Sequence, residues 1–114
     1  MQTHEMGLQP GPFEKIQGGK KTIELRLFDE KRRNIALGDI VEFRKQPEET
    51  EVLRTQVTAL LRYPSFAELF DDFPPEVFGG TGKKSLLEGV HQFYSLKREK
   101  EFGVLGIKIK LLPE

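Results

Sequence analysis

Proline and glycine interrupt this chain so often that no segment can become a long helix. Eleven glycines and seven prolines fall among 114 residues, and they separate runs whose apolar period switches between that of a strand and that of a helix. A doubly wound parallel sheet needs a crossover helix between successive strands, and these segments are too short to supply the series. The expected fold class is α+β: a small mixed or antiparallel β-barrel of about five to six strands carrying two to four short helices. A chain of this length fits one domain, taken here as residues 1–114, able to bury roughly two thirds of its unfolded surface.

The elements follow from local pattern. His4 to Leu8 reads as a short strand stopped by Gln9-Pro10-Gly11-Pro12, and Pro12 to Gln17 as a helix closed by Gly18-Gly19. Thr22 to Leu27 alternates, with Ile23, Leu25 and Leu27 on a dry face and Thr22, Glu24 and Arg26 on a charged one. Gly38-Asp39 marks a turn before the strand of Ile40 to Phe43, which should pair as a hairpin with Glu51 to Leu61 across the loop Gln46 to Thr50. Ser65 with Glu68 forms a capping box for a helix through Phe66, Leu69 and Phe70, ended by Pro74-Pro75. Lys83 to Tyr94 has the stripe of a longer helix, Ser95 with Glu99 starts a final turn to Phe102, and Val104 to Leu112 is an amphipathic closing strand. The phenylalanines, Phe93 included, are expected in the core.

Lysine plus arginine equals aspartate plus glutamate at 18 each, so no global field steers the protein to polyanions or acidic membranes. Charge is nevertheless uneven. Gly18 to Arg33 carries six basic and three acidic residues, whereas Ser65 to Gly80 carries four acidic residues and no base. The absence of cysteine removes thiol nucleophiles, disulfide scaffolds and zinc ribbons. Two histidines in no ligand-spaced motif give no metal site, and no cofactor is expected. Met1 to Met6 lacks the charge and apolar core of a leader, and no run approaches the ~20 apolar residues of a membrane span. The chain therefore reads as cytoplasmic, and as a monomer.

The densest chemistry lies in Gly19-Lys20-Lys21-Thr22-Ile23-Glu24-Leu25-Arg26. Glu24 and Arg26 share a strand face, Lys21 follows two glycines where a turn can redirect it, and glycine leaves backbone amides approachable by an anion. The bland alternative is the solvated face of an edge strand. Lys31-Arg32-Arg33 can add phosphate contacts if the chain folds back, with Arg33 offering a planar fork. Tyr63 and Tyr94 are the aromatic candidates, each carrying a hydroxyl. Gly79 to Ser85 misses the spacing of a phosphate loop and reads as a connector.

Taken together, GGKKTIELR, RRNIALGDIVEF, LRYPSFAELF, FPPEVFGG and the closing GVLGIKI resemble the ASCH domain family from about Met6 to Leu112. The family signature G-x-K-x-x-E-x-R is met by Gly19, Lys21, Glu24 and Arg26. The resemblance implies a PUA-like β-barrel with the signature along a cleft, and an RNA-related role. Some ASCH-like bacterial members are amidohydrolases acting on acetylcytidine through a lysine, a threonine and a glutamate. Here only Lys21 matches, Glu24 stands at the threonine position, and the helix that would bring the glutamate offers Ser85 or Glu88.

Three functional readings follow. The first is an RNA- or nucleotide-binding module using Gly19, Lys20, Lys21, Glu24, Arg26, Arg33, Tyr63 and Tyr94. The second is a small amidohydrolase on a modified nucleoside, with Lys21 and Glu24 as catalytic groups. The third is a protein-interaction or regulatory domain.

Overall fold

A computed structural model describes residues 1–113. One five-stranded sheet, in the order β1-β3-β4-β5-β2, organises the molecule. β1 (Thr3–Leu8) lies parallel to β3 (Ile40–Lys45), and the remaining neighbours, β3 with β4 (Val52–Tyr63), β4 with β5 (Val104–Leu111) and β5 with β2 (Ile23–Leu27), are antiparallel. The sheet curls into a half-barrel, as expected of the mixed α+β class. The curl is helped by the irregularity between Val57 and Ala59, where β4 slips by a residue against β5.

Each face of the sheet has its own core. On the inner face Met6, Leu8, Phe43, Val57, Leu105 and Ile107 pack with Phe13 and Ile16 of α1 (Pro10–Gln17). On the outer face Ile23, Leu25, Leu27 and Val104 meet Phe66, Leu69 and Phe70 of α2 (Phe66–Asp71), Val90 of α3 (Lys83–Val90) and Phe78 of the 3₁₀ turn Pro75–Phe78. α4 (Leu96–Phe102) leads into β5.

Local chemistry sets the boundaries. The helix expected from Pro12 begins at Pro10, because a proline in the first turn gives up only an amide that has no intrahelical acceptor. Ser65 caps α2 by accepting from the Glu68 amide, and Ser95 caps α4 by accepting from the Arg98 amide. At the turn before β3, the Asp39 carboxylate accepts from the amides of Gln2 and Ala36 at 3.0 Å each and lies 2.8 Å from His4 Nε2, tying the turn to β1.

Two expectations are corrected. The helix predicted for Lys83 to Tyr94 stops at Val90, and His91 to Tyr94 form tight turns, with the Phe93 and Tyr94 amides both donating to Val90 O. The helical stripe ends there, so Phe93 leaves the core and is 66% exposed. The second is the bland alternative that β2 merely presents a solvated edge. Its charged face is not solvated: Glu24 is only 3% exposed, because the half-barrel brings other elements over the inner face of this edge strand.

Candidate functional site

β1 and β2 are the two edges of the sheet, and the curl brings them towards each other without pairing them. At this open seam lies a cavity of about 680 Å³, bounded by the end of β1, by α1, by β2, by the Gly79-Gly80-Thr81 loop and by α3 with the turn after it. The size suits a small-molecule or nucleotide-sized ligand.

The floor is built from one ion-paired cluster. Lys21 Nζ donates to Glu24 Oε1 at 2.7 Å, and Arg26 donates to Glu24 Oε2 through NH2 at 2.7 Å and Nε at 3.2 Å. The Leu25 amide also donates to Oε1, at 3.0 Å. With two donors on each oxygen, the carboxylate has its acceptor capacity filled. Burial by itself raises the Glu24 pKa, but the charges and hydrogen bonds of Lys21 and Arg26 prevail and bring it down to about 2. Burial likewise lowers the Arg26 pKa, and Glu24 together with the adjacent Tyr94 phenol reverses that and raises it.

Arg26 has a second task. Its NH2 also donates to Gly7 O at 3.0 Å, so a side chain spans the gap that a backbone ladder leaves open. The ladder pattern explains why Gly7 O is available. The Ile40 amide bonds Gln2 O and the Gln46 amide bonds Leu8 O, so even-numbered β1 residues face β3 and the polar groups of Gly7 face the seam. On β2 the Ile109 amide bonds Thr22 O and the Phe28 amide bonds Gly103 O, which turns the polar groups of Leu25 to the seam. Among the described residues, Gly7 N–H and Leu25 C=O take no partner.

The glycine turn delivers Lys21. The amides of both Lys20 and Lys21 donate to Lys15 O as α1 unwinds, and Gly19 adopts φ 77°, a conformation that glycine takes without strain. Lys21 thereby reaches Glu24 despite its opposite strand parity. Gly19 and Lys20 themselves do not line the cavity, and Lys20 is exposed.

Of the residues singled out by sequence, Lys21, Glu24, Arg26 and Tyr94 line the cavity. Arg33 and Tyr63 do not. The chain after Leu27 turns away from the seam, placing the Arg33 guanidinium 5.6 Å from the centre of the Phe28 ring, and Tyr63 binds Asp72 through its hydroxyl. Sequence reasoning missed Lys15, which reaches across to donate to Gly79 O at 2.7 Å. It also missed Thr81, read as connector, and Phe93, read as core; both line the cavity, as does Ser85, named from the sequence only in the comparison with the amidohydrolases. An exposed phenylalanine after a helical stripe carries no local signal of its direction. With Lys15, the lining holds three cations and one carboxylate, a net charge of +2 within a neutral chain.

Among the described residues no group of three or more His, Asp or Glu side chains is arranged to hold a metal, and no helix is long and apolar enough to cross a membrane.

The molecule has solved structural relatives. It is similar to the hypothetical protein PH0355, known from a crystal structure, at 38% identity over 98% of this chain and 100% of that one, with a TM-score of 0.86. It is similar also to protein PF0455 from Pyrococcus furiosus, known from a solution structure, at 36% identity over 98% of this chain and 99% of that one, with a TM-score of 0.78. ASCH from Zymomonas mobilis shares the fold at 13% identity, with a TM-score of 0.64 over 95% of this chain and 66% of that one. No curated protein matches the sequence. The ASCH domain family model matches residues 6–113, nearly the whole chain, and the chain therefore belongs to the ASCH domain family.

Proposed function

We propose that the seam cavity binds RNA by taking in one exposed nucleotide. The observation that carries this reading is the charge of the cavity: Lys15, Lys21 and Arg26 face a space containing only one carboxylate, and that carboxylate is saturated by its own neighbours. A cleft with a surplus of cations selects an anion even when the whole molecule is neutral. Single-stranded RNA meets the requirement, since its bases are free to leave the stack and its phosphates accompany them.

The groups divide by chemistry. Lys21 has donors to spare beyond Glu24, and it and Lys15 suit phosphate or carbonyl oxygens. The partnerless Gly7 N–H and Leu25 C=O leave one donor and one acceptor at the seam, the two kinds of group that a base edge can meet. Phe93 offers an open ring face at the mouth. Glu24, with no acceptor capacity left, positions Lys21 and Arg26 instead of touching the base.

The same arrangement weighs against hydrolysis. A carboxylate held at about 2 is a poor general base near neutral pH, and the lysine beside it is committed to an ion pair.

The test is an amide-shift titration of the folded protein with cytidine, acetylcytidine and a short single-stranded RNA, with acetate assayed in the same samples. Shifts clustered from Lys21 to Arg26, strongest with RNA and abolished in Lys21→Ala, are expected without acetate release. Acetate release dependent on Lys21 would replace binding by amidohydrolase chemistry, and silence with all three ligands would overturn the proposal.

A further inference from the structure

A second groove opens at the end of β2 away from Lys21. It is lined by Phe28, Arg62, Tyr63, Pro64 and Phe102, with a volume of about 370 Å³. The Arg62 guanidinium lies 3.8 Å from the centre of the Phe28 ring, Arg33 stands over the same ring at 5.6 Å, and Arg98 lies 5.7 Å from the centre of Phe102. Among the described residues none of these three arginines has a carboxylate within ion-pair distance. Of the acids around it, Asp29 pairs with Arg32 at 2.8 Å and Asp72 accepts from the Tyr63 hydroxyl, whereas the exposed Glu30 and Glu101 hold no partner among the described residues and stand outside the lining.

Stacking fixes an arginine through its faces and leaves its N–H donors pointing outward in the plane, ready for phosphate oxygens. With Arg62 held in this way, Arg33 beside the same ring and no acid among the lining residues, the groove offers a surface for a polyanion. Sheet register connects this surface to the seam. Leu105 of β5 is paired with Arg26 on one side and with Arg62 on the other, so the two arginines share a face, two strand spacings or about 10 Å apart. Along β2 itself Phe28 continues the ladder two residues beyond Arg26, through its amide bond to Gly103 O, a step of about 7 Å.

We infer that the groove of Phe28, Arg33 and Arg62 binds the phosphates of the RNA strand that continues out of the seam cavity, so the natural ligand is an oligonucleotide and not a free nucleotide. This rests on the reading of the cavity as an RNA site and adds the path that the strand takes. The cavity holds one nucleotide, and the groove holds its neighbours through two or more charge contacts.

The test compares uridine monophosphate with hexauridylate on the wild-type protein, on Lys21→Ala and on the double variant Arg33→Gln/Arg62→Gln, with Arg62→Lys as a variant that keeps the charge but loses the planar stack. The double variant is expected to bind hexauridylate about tenfold more weakly, with a salt slope shallower by about 1.4 for two lost phosphate contacts, and to bind the mononucleotide as before. Arg62→Lys should lie between, and unchanged thermal unfolding of both variants excludes misfolding as the cause. Hexauridylate binding that needs Lys21 but ignores the double substitution overturns the groove and leaves the cavity reading intact. No binding of either ligand overturns the cavity reading and the groove with it. Equal, equally arginine-dependent binding of hexaglutamate would overturn RNA as the occupant and reassign the groove to acidic protein segments.

Discussion

Glu24 is the residue on which the seam turns, since Lys21 and Arg26 converge on one buried carboxylate. Removing one member of a buried ionic cluster strands the others, so Glu24→Gln should cost about 3–5 kcal/mol in urea unfolding. Acid should produce a related loss. The carboxyls of Glu24 and Asp39 both lie at about 2 in the folded protein, below the ordinary 4.5 and 3.8. At neutral pH both are charged whether the chain is folded or not, and their full contribution is present above about pH 4.5. As the pH falls towards 2 the unfolded chain takes up protons first, and stability declines. Glu24 accounts for about 3 kcal/mol of that decline, so thermal unfolding followed from pH 7 to 2 should be distinctly less acid-sensitive in Glu24→Gln. Phe93 presents the opposite case. At 66% exposure it contributes little packing, and Phe93→Ala should leave unfolding within about 0.5 kcal/mol of wild type. The same change should weaken RNA binding by about 1–3 kcal/mol in a fluorescence titration if a base stacks there.

Among the elements, those defined by neighbours in sequence were legible and those defined by distant packing were not. The β3–β4 hairpin, the Ser65 cap and the closing strand follow from turn residues and alternation, and the structure has them. The run from Gly19 to Arg26 stood out for its charge, but its burial did not. Alternation shows that Glu24 and Arg26 share a face, whereas only the curl of the sheet decides whether that face is wet. Lys15 and Ser85 reach the cavity from α1 and α3, contacts that nothing within either helix announces. One close approach makes the β2–β5 pairing testable at this scale. A Cβ added at Gly106 would lie 3.2 Å from Ile23 Cγ2 and 3.3 Å from Leu69 Cδ2, with α2 behind them. Gly106→Ala should therefore destabilise by about 1–3 kcal/mol in chemical denaturation, with the cost falling on the packing of α2 against β2.

At the scale of the whole molecule, a neutral chain carries a cationic seam. Association with RNA should depend on salt only modestly, with a log–log slope near −0.7 per phosphate contacted, so the two groove contacts with one or two in the cavity give about −2.1 to −2.8. A slope several times steeper, measured by titration at increasing salt, would point to a much larger electrostatic footprint than these residues provide. The unpaired strand edges have a consequence of another kind. A bare edge is a template on which a second chain can add a strand, and repeated addition leads to fibrous aggregates. Here both edges turn inward on a gap that Arg26 already spans to Gly7 O, with Glu24 and Lys21 beside it. An invading strand would have to break that bridge and leave ionic groups buried without partners. The feature that opens the cleft thus also guards the sheet against polymerising with its own copies.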